Sequence, residues 1–393
     1  MIDRSLFLAT TTLIVIGIIF SYSLSVYTVL LFNVSSWHFF IRQFAAGVLG
    51  IFLMWFIARQ DPDKIATKLG FSIFIISALL MIAIPFLPET IAKEIGGAKR
   101  WIRLWFVSLA PVEFFKIGFA YFIAWSFSRK VLPRHVERFG KVRFSLKEEL
   151  NILLPYIIIF VVVMFIIAIF QNDLGQVVLL AATLLGLMIF AGSSLRFFGA
   201  SILVGIIIFA GFIVTSPHRI ERFKGWYYMV QNGIAKLFPK FAQAVPKVNL
   251  VEEPYQISNS LHAIHNGGLF GVGLGNGVLK LGFLSEVHTD FVLAGMVEEI
   301  GVLGVTAVVM LLMIVIYRLL KIAGRSENSI YYLYCAGLAM IIGFAFLINA
   351  LGISGVIPLK GMAVPFLSYG GSQIVALCIG VGLALSMSKK VRM

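Results

Sequence analysis

The chain has 393 residues, of which 60% are hydrophobic and 13% charged, with a formal net charge of +14. A soluble domain carries roughly 25% charged residues, so this composition excludes an ordinary soluble protein and points to an all-α polytopic membrane protein. Two cysteines, Cys335 and Cys378, both inside apolar runs, exclude a disulfide framework and suggest no metal site.

Apolar runs long enough to cross a hydrocarbon core of ~30 Å recur along the whole chain. About ten are expected, at 6–32, 38–58, 69–88, 105–127, 151–170, 174–193, 196–216, 289–317, 330–351 and 363–387. The first is too long for a signal-peptide core and lacks a small-residue cleavage site, so it reads as a retained span. An even number of spans puts both ends of the chain on one side. Positive charge chooses that side. Arg129, Lys130, Arg134, Arg138, Lys141, Arg143 and Lys147 follow the fourth span; Arg318, Lys321 and Arg325 follow the eighth; Lys389, Lys390 and Arg392 close the chain. All fall on one face if the topology is N-in and C-in. The large segment 217–288, between the seventh and eighth spans, is then extracytoplasmic. Its stretch "GWYYMVQNGIAKLFPKFAQAV" has the aromatic, amphipathic character of interfacial helix. No second domain, fixed-period repeat or low-complexity segment is present.

The outer face departs from the charge rule. Lys93, Lys99, Arg100 and Arg103 lie between the third and fourth spans, and seven lysines and arginines lie in 217–288. Gathered cations there suit an anionic partner such as phosphate or pyrophosphate, or lipid headgroups. "GGAKRWIRLW" sets Trp101 and Trp105 around the cations, and interfacial tryptophans usually anchor. In "SLAPVEFFKIG", Glu113 and Lys116 share one helix face, as a structural pair or as part of a groove. In "QNDLGQ", Asp173 reads as a helix cap. "YQISNSLHAIHNGGLFGVGLGN" has five glycines between Gly267 and Gly275, suited to close approach by a ligand or to a tightly packed re-entrant loop. "FLSEVHTDFVLAGMVEE" places His288 and Asp290 at the lip of an apolar run, with Glu298 and Glu299 deeper. Ionisable groups at such depth mark a partner or a function. "ISGVIPLKGMAVPFLSYGGSQ" contains Pro358, Lys360, Pro365, Ser368, Gly370 and Gly371, a broken entry to the last span that implies a protein-lined cavity.

Together "GGAKRWI", "SLAPVEFFKIG", "QNDLG", "YQISNSLHAIHNGGLFGVGLGN", "FLSEVHTDFVLAGMVEEIGVLG" and "LKGMAVPFLSYGGS" resemble the SEDS family of bacterial cell-wall proteins, whose branches include FtsW, RodA and SpoVE. The blocks fall in family order over nearly the whole chain; "GVGLGN" and "LKGMAVPFLSYGG" look most like the FtsW branch. Four positions depart from the family pattern: Ala110 and Val112 stand in "SLAPVE" where polar residues are usual, and Asn172 and Ser285 replace prolines. The ionisable positions remain.

The resemblance implies a peptidoglycan glycosyltransferase that polymerises lipid II on the outer face of the bacterial cytoplasmic membrane, in septal wall synthesis at the division site. It implies as partners a cognate class B penicillin-binding protein, divisome proteins and membrane lipids, and no nucleic acid. Asp290 is then the expected general base for the acceptor hydroxyl, its basicity strengthened by partial desolvation. Its competing role is helix N-cap, shared with Thr289. Lys99, Arg100 and Lys360 are expected to hold the pyrophosphate leaving group. Trp101, Glu113, Lys116, His288 and Ser368 complete the substrate-binding set. A divalent cation (Mg or Mn) could share the pyrophosphate, but the sequence has no dedicated cage for one. Two other classes fit parts of the pattern: a lipid II flippase, and a scaffold for a transpeptidase. A RodA-like elongation polymerase is the alternative within the family. The crowding of polar residues at the outer lip, rather than through both membrane halves, favours the enzyme.

Overall fold

A computed structural model describes residues 2–94, 97–104, 107–130, 146–214, 220, 221, 223–228, 230, 231, 255–358 and 361–391. Helices occupy each of the ten expected apolar intervals. They are α1 (Arg4–Ser23) with its short continuation α2 (Val26–Leu31), α3 (His38–Arg59), α4 (Pro62–Ala83), α5 (Pro111–Lys130) and α6 (Leu146–Phe165). They continue with α7 (Leu174–Phe190), α8 (Leu195–Val214), α10 (Val292–Gly324), α11 (Ser329–Ile353) and α12 (Gly371–Ser388). Among the described residues, six are long and apolar enough to cross a membrane by length and composition, and three shorter apolar helices lie at Leu154–Phe170, Leu174–Phe190 and Phe198–Val214. One further helix, α9 (Tyr255–Gly267), packs against α10 outside that series.

The helix ends show the antiparallel alternation that the charge pattern implies. At one end Arg318 of α10 pairs with Asp3 at 2.6 Å, and the Asp3 N–H donates to Ser388 of α12. Lys389 donates to the carbonyls of Arg59 and Gln60, while Lys390 and Tyr331 both engage Asp63. The starts of α1, α4 and α11 therefore meet the ends of α3, α10 and α12, as ten alternating crossings require. The cation-rich segment after α5 lies largely outside the described residues, as does most of the interfacial stretch 225–245. Within that stretch, the Trp226 indole N–H reaches the carbonyls of Gly355 and Val356.

Lipid tails are as apolar as leucine, so helices in a bilayer associate through close packing and small residues. α3 and α12 meet at Gly50, against Cys378, and at Gly382, against Met54 and Ile57. α4 and α5 meet at Gly70, under the Tyr121 ring, and at Gly118, against Phe74. A methyl group at any of these four would press into its neighbour. Both cysteines are buried and reduced.

Several expected boundaries move: α4 starts at Pro62 rather than 69, and α10 runs to Gly324 rather than 317. The first span is interrupted near Leu24 and Ser25, where α1 ends and α2 begins. The fourth starts at Pro111 rather than 105, because proline lacks the N–H that a first-turn residue leaves unused and suits that position. The residues before it form a small antiparallel hairpin, β1 (Ile102–Leu104) with β2 (Val107–Leu109), a minor exception to an all-helical fold. The last helix starts at Gly371, not 363; the preceding residues form the irregular segment that shapes the site.

Candidate active site

The site is organised where the irregular segment 361–370 meets residues 286–291, just ahead of α10. Three consecutive carbonyls there are each captured by a different donor. The Tyr369 N–H donates to His288 O at 2.8 Å, the Ser368 hydroxyl to Thr289 O at 2.6 Å, and the Asn349 amide to Asp290 O at 2.6 Å. Asn349 also donates to Met362 O at 2.6 Å, tying both segments to the end of α11. Gln43 of α3 donates to Ser368 O and accepts from the Gly370 N–H. The backbone carrying Asp290 is thus fixed by α3, α11 and the entry to α12. Its half-buried side chain lies against Gly361, where any Cβ would collide with the carboxylate.

Neither competing cap materialises. The N-cap of α10 is Phe291, without a side-chain cap, and Thr289 spends its hydroxyl on Glu286. Asp290 is therefore a carboxylate held in a turn at the helix lip. His288 is buried beside it, packed edge-on against Phe39 and tilted against Tyr369. Burial pushes the His288 imidazole pKa below 6.5, with the Glu286 carboxylate opposing. Among the described residues its Nδ1 has no hydrogen-bond partner. Ser368 is fully buried with its hydroxyl committed to two backbone bonds, from Val364 N–H and to Thr289 O. That hydroxyl ties the segment before α12 to the Asp290 turn. Lys360 lies outside the described residues; Gly361, its neighbour in the chain, abuts Asp290.

The remaining expected residues form a second group. Glu113 and Lys116 make a buried ion pair at 2.7 Å, and Gln176 of α7 donates to the same carboxylate at 3.3 Å. Asp173 caps α7 by accepting from the Gln176 N–H. Arg100 donates to Gln171 O and Asn172 O, where Asn172 adopts a left-handed backbone after a π-helical turn at Ile166–Phe170. Lys99 donates to Leu87 O at 2.8 Å. An ammonium has three donors and a guanidinium five, so each cation keeps N–H groups for an anion. The Arg100 guanidinium lies 6.0 Å from the Trp101 ring. Ser372 links the two groups: it accepts from Ala110 N–H and donates to Ser108 O, joining the hairpin to the start of α12.

The two deeper acids have a different task. α10 is broken at Gly301, with φ 72° and ψ 173°. The glycine-rich stretch supplies partners for the freed backbone groups. Val272 and Gly273 donate to the carbonyls of Glu298 and Glu299; Val302 and Leu303 donate to those of Gly268 and Leu269. Such a break is tolerated at membrane depth because these freed groups are satisfied again. The glycines are required sterically, since a Cβ at Gly267, Gly271 or Gly301 would strike backbone. The Glu298 carboxylate accepts from Asn266 and from the N–H groups of Val278 and Leu279. Glu299 pairs with Lys280 at 2.6 Å and accepts from Ser23 at 2.7 Å. Both acids bolt the glycine-rich loop to the first turns of α10, which follow the Asp290 turn. A structural role for Glu298 and Glu299 was among the sequence's readings, but their partners were not, nor were Gln43 and Asn349.

Among the described residues no three His, Cys, Asp or Glu side chains are grouped as a metal site. Glu286 and Asp290 are too few for a protein cage around a hard cation, which takes six or more oxygens.

The fold and site define a multi-pass helical membrane protein with a buried polar network at one end of the bundle. The family model described as "Cell cycle protein", covering FtsW, RodA and SpoVE, matches residues 3–393, and the chain belongs to that family. It is 46% identical over 389 residues, 98% of each chain, to the probable peptidoglycan glycosyltransferase FtsW of Helicobacter pylori strain J99. It is 31% identical to the protein of that name from Haemophilus influenzae, covering all of this chain and 91% of the relative. Among solved structures, a chain of a peptidoglycan synthase complex superposes with a TM-score of 0.66 at 20% identity, over 99% of this chain and 98% of that one. The RodA of Thermus thermophilus superposes with a TM-score of 0.62 at 22% identity, over 100% and 98%.

Proposed function

We propose that the protein is a peptidoglycan glycosyltransferase of the FtsW type, polymerising lipid II at the outer face of the bacterial cytoplasmic membrane during septal wall synthesis. The observation that carries this reading is the fixed turn 286–291, which holds the half-buried carboxylate of Asp290 at the lip of the bundle beside Gly361. The names of the relatives point to the same activity.

Asp290 takes the proton from the acceptor sugar hydroxyl as that oxygen attacks the anomeric carbon of the donor. The anomeric C–O bond to pyrophosphate breaks, and the lipid pyrophosphate leaves. Negative charge grows on the leaving oxygen, and the spare N–H groups of Lys99 and Arg100, with Lys360, stabilise it. The Glu113–Lys116 pair shapes the groove wall without spending a net charge. A divalent cation such as Mg or Mn would add positive charge at the pyrophosphate, with Asp290 and Glu286 as the carboxylates of this turn that could share it. The partner is a class B penicillin-binding protein that crosslinks the new strand, with other divisome proteins recruiting the pair to the division site.

Polymerase and flippase are separated by Lys360→Ala assayed on lipid II in detergent, where no translocation occurs. The polymerase reading predicts a rate loss of about 10²–10³-fold. If the wild type with its partner makes no polymer in detergent, yet moves lipid II across sealed vesicles in a Lys360-dependent way, the transporter reading replaces it.

A further inference from the structure

At the end of the bundle opposite Asp290, a groove of about 400 Å³ opens between α1 and α3. Ile2, Phe7, Leu8 and Ala58 make its apolar lining, and Arg4, Arg59 and Trp55 its rim. Both arginines are exposed. Their electrostatic setting differs from that of nearby cations. Arg318 is paired with Asp3, and Lys390 with Asp61 and Asp63. Among the described residues no carboxylate pairs with Arg4 or Arg59. The Arg59 guanidinium carbon instead lies over the Trp55 ring, 3.8 Å from its centroid, a cation–π contact that restrains the side chain at the groove.

Two unpaired guanidiniums above an apolar slot match one kind of molecule. We propose that this groove is a binding site for an anionic phospholipid of the adjacent leaflet. The phosphate sits between Arg4 and Arg59, taking the forked, charge-assisted hydrogen bonds that guanidinium forms with phosphate oxygens. The glycerol and first methylenes lie along Ile2, Phe7 and Leu8. Arginines at helix ends commonly extend toward headgroups in a diffuse way. A concave apolar floor and a ring-clamped guanidinium convert that general attraction into a site that holds one lipid. Occupancy ties the start of α1 to the end of α3, independently of any catalytic role.

The test is native mass spectrometry of the intact chain released from micelles. The micelles contain equal amounts of phosphatidylglycerol and phosphatidylcholine with the same acyl chains. The wild type is expected to retain one phosphatidylglycerol in preference to phosphatidylcholine. Each lost charge-assisted guanidinium–phosphate contact should cost about tenfold or more in affinity, so Arg4→Gln/Arg59→Gln should weaken retention by roughly 100-fold. Lys64→Gln/Lys68→Gln removes the same charge from exposed positions on α4 outside the groove and should leave retention unchanged. Equal loss in both double variants would reduce the effect to diffuse charge and overturn the site. So would equal retention of both lipids by the wild type, a comparison that needs no variant to fold. Glycerol phosphate that competes as well as phosphatidylglycerol would show that no acyl chain is held, and the lipid assignment would fail.

Discussion

The buried pair Lys280–Glu299 offers the sharpest test of how the re-entrant loop supports the site. The side chains are 3% and 0% exposed, the ions are 2.6 Å apart, and Ser23 and Gly275 O supply further hydrogen bonds. Coulomb attraction there is set against the cost of desolvating two ions, so the pair's net contribution is small. Removing one partner is different, because it strands the other as a buried charge, at a cost of about 3–5 kcal/mol. Lys280→Met should therefore lower thermal stability sharply in detergent, as followed by intrinsic fluorescence. The double variant Lys280→Met/Glu299→Met should recover most of that loss, since no charge is left unpaired. Activity should not recover in parallel. Glu299 anchors the first turns of α10, which follow directly on the Asp290 turn. Additive losses in the two single variants and the double variant would show that the ions do not act as a pair, and the reasoning would be wrong.

Other outcomes follow from the same geometry. Gly361→Ala puts a methyl group into the Asp290 carboxylate and should reduce polymerisation by at least tenfold while the melting temperature barely moves; unchanged turnover would mean that the carboxylate has room to shift. Asn349→Ala removes the amide shared by Asp290 O and Met362 O, and should cost about 1–3 kcal/mol of stability, measured by thermal unfolding, because two buried carbonyls lose their donor. His288 has a depressed pKa in the folded state, so the unfolded chain binds more protons in the window below its ordinary value of 6.5. Stability should therefore fall as pH drops through that window, and less steeply in His288→Gln; identical pH slopes would exclude His288 as the cause. Cys335 and Cys378 are buried, so the native chain should be silent to an impermeant thiol reagent. A single cysteine placed near Gln243 should then label in whole cells and one between Arg134 and Lys147 should not, the reverse pattern inverting the topology.

Much of the architecture was legible because a hydrocarbon core imposes a length on every crossing. Apolar runs marked the ten intervals in which helices stand among the described residues, six of them long and apolar enough to cross a membrane, and the alternation of basic segments anticipated which helix ends meet. The break at Gly301 was not legible. Apolar residues continue on both sides of it, and the partners for its freed backbone groups lie about thirty residues earlier in the chain. Glu298 and Glu299 drew notice as buried acids, yet their bonds run to Asn266, Val278, Lys280 and Ser23, which no local spacing links to them. The lip of the site divides the same way. Asp290 and His288 stood out as ionisable residues against oil. Gln43 and Asn349 look like ordinary polar residues within spans, and only tertiary contact shows that they hold the Asp290 turn. Ser368 was singled out for its place in "PFLSYGGS", and the structure spends its hydroxyl on backbone instead.

The central claim is that Asp290 removes the proton from the attacking hydroxyl. The measurement that tests it most directly is single-turnover polymerisation of labelled lipid II by purified protein with its penicillin-binding partner, comparing wild type with Asp290→Asn. That substitution keeps the size and hydrogen bonding of the side chain but not its basicity. The account predicts a glycan ladder from the wild type and a loss of about 10²–10⁴-fold from Asp290→Asn, with the variant folded and still bound to its partner. A ladder from Asp290→Asn at near wild-type rate would contradict it.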